Sequence, residues 1–201
     1  MVKPESIQSI PSFLSWLRPL VVAACALFIS ACSVNPEDYA GQTPALELPQ
    51  FFNGPLKAYG VVEGPTGKVT RRFTAHLEGR WQGDQGVLDE HFVFDDGEES
   101  YRCWRITKDG NRYIGTAGDV VGQASGEVVG NSLNWQYYLT VPVDGEPWTF
   151  YLDDWLHLIT EDHLINRTAM KKWGVTVAEL SLYIGKVDQS QQRDLRSSCQ
   201  L

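Results

Sequence analysis

Charged side chains recur at positions where an alternating strand would bury them. In residues 148–158 one alternating face reads Trp148, Phe150, Leu152, Asp154, Leu156, Leu158, with Asp154 as its only polar member. In residues 86–94, Glu90 shares a face with Leu88, Phe92 and Phe94, and in residues 100–106, Arg102 shares one with Trp104 and Ile106. A charge taken out of water is costly unless it is paired. Two chemistries are therefore open. One is an internal ion-pair network joining Arg71, Arg102 or Arg167 to Glu90 or Asp154. The other is a polar patch in an apolar cavity, where an arginine would hold the carboxylate or phosphate of a fatty ligand through charge-assisted bonds.

Signals for catalysis are weak. His76, His91, His157 and His163 lie on different runs and give no metal-ligand spacing. Neighbouring Asp153 and Asp154 would point to opposite faces of a strand, so they cannot act on one atom. No nucleophile elbow, phosphate-binding glycine loop or paired-cysteine motif is present, and residues 122–126, GQASG, fall one residue short of the elbow and read as a hairpin. The expectation is a non-enzymatic protein with no cofactor and no metal.

These side chains must be positioned by strands. Turn residues recur at short intervals, at Gly64-Pro65, Gly83-Asp84, Asp95-Asp96-Gly97, Asp109-Gly110, Gly130-Asn131 and Asp144-Gly145, between runs rich in Val, Thr, Tyr, Phe and Trp. In residues 133–141, Leu133, Trp135, Tyr137, Leu139 and Val141 share one face, and Asn134, Gln136, Tyr138 and Thr140 the other. About ten strands between residues 55 and 187 are predicted, with hairpin-length connections. An antiparallel sheet of this size tends to close and so remove its edges. The predicted fold is an all-β, lipocalin-like barrel over residues 51–187, with a two-sheet sandwich as the alternative. Residues 32–50, with Pro36, Pro44 and Pro49 and no periodicity, read as a flexible tether; polar residues 188–201 read as a disordered tail. Cys103 in a strand and Cys199 in that tail either pair or stay free.

The first 31 residues read as a secretory leader. Lys3 and Arg18 precede an apolar run over residues 20–29, shorter than the roughly 20 residues of a membrane-spanning helix. Ile29-Ser30-Ala31-Cys32 looks like a lipobox, with small residues admitting a peptidase and the Cys32 thiol accepting a diacylglycerol. The rival Val22-Ala23-Ala24-Cys25 would leave too short an apolar run after Arg18. Acyl chains on Cys32 would hold the chain on a membrane. Ser33, in place of the Asp that commonly retains such proteins at the inner membrane, points to the outer membrane of a bacterial envelope, facing the periplasm. Without the leader, 15 basic and 24 acidic residues remain, a net charge of −9. That balance argues against nucleic-acid binding and against electrostatic docking on anionic lipid.

Several local patterns occur together. They are Phe52-Asn-Gly-Pro-Leu56 with Ala58 and Gly60, Arg71-Arg72-Phe73, Leu88-Asp89-Glu90-His91-Phe92 and Arg102-Cys-Trp104. Tyr113-Ile-Gly-Thr-Ala-Gly-Asp119, Asp153-Asp154-Trp155 and Asn166-Arg167 follow. In this order they resemble a family of bacterial lipoproteins classed as domain of unknown function 3833, over roughly residues 46–187. The resemblance implies a lipoprotein class and no particular activity. From the lipid site, the barrel and the mixed interior, the expected function is a membrane-anchored binder of a lipid-like or other apolar small molecule. The alternative is a structural or interaction lipoprotein with a filled barrel.

Overall fold

Ten runs of alternating polarity become ten antiparallel strands in a computed structural model, which describes residues 34–188, 190 and 199–201. They are β1 (Gly54–Glu63), β2 (Val69–Gln82), β3 (Gln85–Phe94), β4 (Glu99–Asp109) and β5 (Arg112–Thr116), then β6 (Val120–Val129), β7 (Ser132–Val143), β8 (Glu146–Thr160), β9 (His163–Lys172) and β10 (Val175–Lys186). Each strand pairs with its sequence neighbours, and β10 closes the sheet on β1 from Leu56↔Lys186 to Glu63↔Glu179. The result is the predicted lipocalin-like closed barrel. A sandwich would leave β1 and β10 as free edges, and the closure satisfies both. The barrel belongs to the compact unit Pro36–Leu201.

Alternation sets the core. Phe73, Ala75 and Leu77 of β2 and Leu133, Trp135, Tyr137 and Leu139 of β7 point inward and are buried. Gly115 of β5 makes room for the rings: a Cβ there would lie 2.7 Å from Trp135 and 3.3 Å from Trp104. Residues 122–126 form no hairpin. They lie within β6, where Gly122 at φ 74° accommodates a register shift between Val121 and Ser125.

The segment before the barrel is packed rather than flexible. A 3-10 turn (Pro36–Tyr39) and the short helix α1 (Leu48–Phe51) precede β1. Leu46, Leu48, Phe51 and Phe52 are buried, and they close the barrel end that carries the β2–β3, β4–β5 and β6–β7 turns. Polar contacts fix the plug: Leu46 N–H donates to Gly130 O (2.9 Å), Trp81 Nε1 donates to Phe52 O (3.0 Å), and Lys108 pairs with Glu47 (2.6 Å). Burial of four large apolar side chains outweighs the flexibility its prolines suggested, so the expected tether over 32–50 is corrected from Pro36 onward.

The polar C-terminal segment is likewise docked at its end. Cys199 is 1% exposed and forms a disulfide with Cys103, Cα–Cα 5.5 Å. Arg80 donates to the Cys199 carbonyl at 2.5 Å, and Arg105 donates to that of Gln200. The covalent link overrides the low apolar content that made 188–201 read as disordered; residues 189 and 191–198 lie outside the described residues. So does Cys32. Among the described residues no helix is long and apolar enough to cross a membrane.

Candidate functional site

The barrel interior is incompletely filled. A cavity of about 120 Å³ remains among Phe73, Phe92, Trp104, Trp135, Leu156 and Leu182. Into this apolar wall project Glu90 of β3, Arg102 of β4, Tyr137 of β7 and Asp154 of β8. Glu90, Tyr137 and Asp154 are buried, at 8%, 6% and 8% exposure. The strand period predicted the inward facing of Glu90, Arg102 and Asp154, and the register brings two of them together: Glu90 sits directly opposite Arg102.

Arg102 is nonetheless committed elsewhere. Its Nε donates to both oxygens of Asp119 (3.1 and 2.9 Å), and its Nη2 lies 2.8 Å from Asp119 Oδ2. Asp119 comes from the β5–β6 turn, which is pinned by Thr140 N–H donating to its carbonyl (2.9 Å). Glu90 Oε2 is 3.6 Å from Arg102 Nη1, too far for a hydrogen bond. It has no hydrogen-bond partner in the cavity.

Asp154 is supported differently. Its Oδ2 accepts from the Tyr137 hydroxyl at 3.1 Å, while its Oδ1 is buried without a hydrogen bond. The Thr168 hydroxyl, opposite Asp154 in the sheet, donates to Asn166 Oδ1 at 3.3 Å and also acts on the Asp154 carboxyl. One oxygen of each carboxylate is thus buried without a hydrogen bond, on a residue that lines the cavity.

Burial dominates the electrostatics. It raises Glu90 to about 7, against the lowering effect of Arg102 and the Trp104 indole. It raises Asp154 to about 6, against the Thr168 and Tyr137 hydroxyls and the Arg102 charge. Burial also pushes the Tyr137 hydroxyl well above its ordinary value, with the Asp154 charge adding to it. For Arg102, burial pulls downward, but Glu90, Tyr137 and Asp119 outweigh it and hold the guanidinium charged.

Two arginines proposed for this interior are not part of it. Arg71 lies at the far end of β2. Its Nη2 bonds Asp96 (2.9 Å) and Glu98 (3.0 Å) in the β3–β4 turn, and its guanidinium stacks 3.8 Å over Phe94. Arg167 is on the outer face of β9, its side chain 67% exposed, 3.3 Å from Glu179. The inward positions of β9 are Leu164, Asn166, Thr168 and Met170, so Arg167 has the opposite phase. Sequence reasoning missed Asp119, which belongs to a turn and so has no alternation phase. Tyr137 stood on the predicted inward face, but its hydroxyl partner gave no sequence signal.

The family model described as "Protein of unknown function (DUF3833)" matches residues 26–186. No curated protein matches the chain. Among solved structures, a protein of unknown function from the DUF3598 family of Nostoc punctiforme superposes with TM-score 0.52 at 15% identity. That match covers 73% of this chain and 51% of the other, so the chain spans about half the length of that relative. An S-type phycobiliprotein lyase from Guillardia theta superposes with TM-score 0.50 at 4% identity, covering 68% of this chain and 89% of the other. At these identities the likeness is one of fold.

Proposed function

Because the chain belongs to the family of proteins of unknown function DUF3833, which brings no activity with it, we propose from the site itself that the barrel is a non-enzymatic binder of a compact, largely apolar small molecule. The observation that carries this reading is the unfilled cavity inside a closed barrel, apolar in most of its wall and polar at Glu90 and Asp154. Its size bounds the ligand. About 120 Å³ is below the roughly 300–1,000 Å³ of drug-sized pockets and close to the roughly 150 Å³ engineered cavity that takes benzene. One ring or a short branched chain fits; a full acyl chain requires wall side chains to move. The fold likeness to a lyase raises catalysis as a rival. Among the described residues the wall groups that could do such chemistry are Glu90, Asp154 and Tyr137, so a ligand that binds there and leaves unchanged is the outcome that favours binding over catalysis.

The test is titration of the full chain with toluene, read by the fluorescence of Trp104 and Trp135. Saturable binding is expected, weakened at least 10-fold in Leu156→Phe, which fills the cavity. Absence of binding in the wild-type chain refutes the reading. A second reading, a filled barrel that docks on an envelope partner, is favoured by exposed Trp173 (85%) and Val175 (65%) at the β9–β10 turn. Lys172 lies 5.2 and 5.5 Å from the Trp148 and Trp173 rings there.

Anchoring through acyl chains on Cys32, at the outer membrane facing the periplasm, is part of the same proposal. It is supported by Ile29-Ser30-Ala31-Cys32. Labelling of cells with a fatty-acid analogue should be lost in Cys32→Ala; persistent labelling refutes it.

A further inference from the structure

We propose that the polar pole of the cavity takes the ammonium group of a compact apolar amine, held between Glu90 and Asp154, and discriminates against carboxylates. This rests on the binding reading above and specifies its ligand class. A guanidinium facing a cavity invites an anion, but Arg102 Nε and Nη2 are satisfied by Asp119, and Nη1 faces Glu90. The other donors at this pole are also spent on the acids: the Tyr137 hydroxyl is given to Asp154, the Trp104 indole acts on Glu90 and the Thr168 hydroxyl on Asp154. The buried atoms without a hydrogen bond at this pole are both acceptors: Glu90 Oε2 and Asp154 Oδ1, on residues that are each 8% exposed. A buried acceptor left unsatisfied is destabilising, and a ligand donor placed on it recovers that loss.

Charge points the same way. Arg102 is balanced by Asp119, so ionised Glu90 and Asp154 are in excess in a cavity whose wall, among the described residues, holds no second cation. A carboxylate entering here would add like charge to two acids without water to screen it. An ammonium supplies up to three donors and a positive charge, and Trp104 and Trp135 beside it offer ring faces to its apolar body. Without ligand at neutral pH, Glu90, raised to about 7, holds its proton part of the time, and Asp154, raised to about 6, is mostly ionised. A bound ammonium favours the ionised form of Glu90, so binding should release a fraction of a proton into solution.

Four probes that differ in one group decide the matter: benzylamine, benzyl alcohol, benzoate and toluene, titrated against the full chain at neutral pH. Benzylamine should bind at least 10-fold more tightly than benzyl alcohol and toluene, and benzoate should bind more weakly than toluene. Glu90→Gln and Asp154→Asn should each reduce the amine-to-alcohol preference several-fold while toluene binding persists, which also shows that the variants are folded. Calorimetry of benzylamine in two buffers of different ionisation enthalpy should show proton release. Toluene binding with equal or better binding of benzoate than benzylamine overturns the amine assignment alone. Failure of all four probes overturns the binding reading with it.

Discussion

Raising the pH from about 4.5 to about 8 should destabilise this barrel, and Glu90→Gln should remove much of the loss. In the unfolded chain Glu90 titrates near 4.5; in the barrel burial raises it to about 7. Between those values the folded protein holds a proton that the unfolded chain has released. The favourable contribution is therefore complete below the unfolded value and is lost as pH rises through the folded one. For Glu90 alone the difference amounts to about 3 kcal/mol. Asp154, raised from 3.8 to about 6, adds a loss of similar size, and the two release their protons as a coupled pair. His157, lowered by burial, acts in the opposite sense: it folds neutral, so its contribution improves as pH rises through its own range. It is one partly buried ring against two buried carboxyls, and the net slope stays negative. Asp153, lowered by Lys171 and Asn134 against the raising effect of burial, matters only below about pH 4, outside this window. The assay is urea unfolding of the disulfide-intact chain, followed by circular dichroism from pH 4.5 to 8. Wild type should lose stability across the window, and Glu90→Gln should lose less and exceed wild type at pH 8. A wild-type profile that is flat or rises with pH, or a Glu90→Gln slope equal to that of wild type, refutes the reasoning.

Phe51→Ala should cost roughly 3–5 kcal/mol, because Phe51 is 2% exposed within the plug; a shift in unfolding midpoint below that of a surface substitution would detach residues 36–52 from the domain. Gly115→Ala should cost roughly 1–3 kcal/mol by overpacking and should perturb the near-ultraviolet dichroism of Trp135, whose ring lies 2.7 Å from the added carbon. Cys199→Ser opens a loop that joins residues 96 apart and should lower stability by roughly 2–5 kcal/mol, measured against the oxidised parent; reducing agent should affect the parent and leave the variant unchanged.

The barrel was legible because its information is periodic. Long runs such as residues 133–141 keep one phase over many residues, so both strand and inward face follow from residue type alone. The same period placed Glu90, Arg102 and Asp154 inside. It failed where the phase is masked or absent. In β9 polar Asn166 and Thr168 occupy the inward face, so Arg167 gave no contrast that fixed its outward direction. Arg71 has an inward phase but sits near a strand end, where the β3–β4 turn offers Asp96 and Glu98 before the interior does. Asp119 and the plug over residues 36–52 belong to turns and irregular chain, where no period exists. Their places are set by tertiary packing that a linear reading cannot sum.

The charge pairing inside the barrel therefore differs from a network joining Arg102 to Asp154, and a double-mutant cycle separates the two. Arg102 makes direct bonds to Asp119 and none to Asp154. Arg102→Met paired with Asp119→Leu should show a coupling of about 1–2 kcal/mol, reduced from the buried-pair range because Asp119 keeps contact with water. Arg102→Met paired with Asp154→Leu should be closer to additive, since Asp154 is supported by Tyr137 at 3.1 Å and can hold its proton when the cation is gone. Glu90 behaves likewise: losing Arg102 leaves it protonated rather than charged, so the damage from Arg102→Met should grow with pH. Equal couplings in the two cycles, or a cost of Arg102→Met independent of pH, would mean that Arg102 neutralises all three acids as a single cluster. The donor inventory that leaves Glu90 and Asp154 available to a ligand would then be wrong.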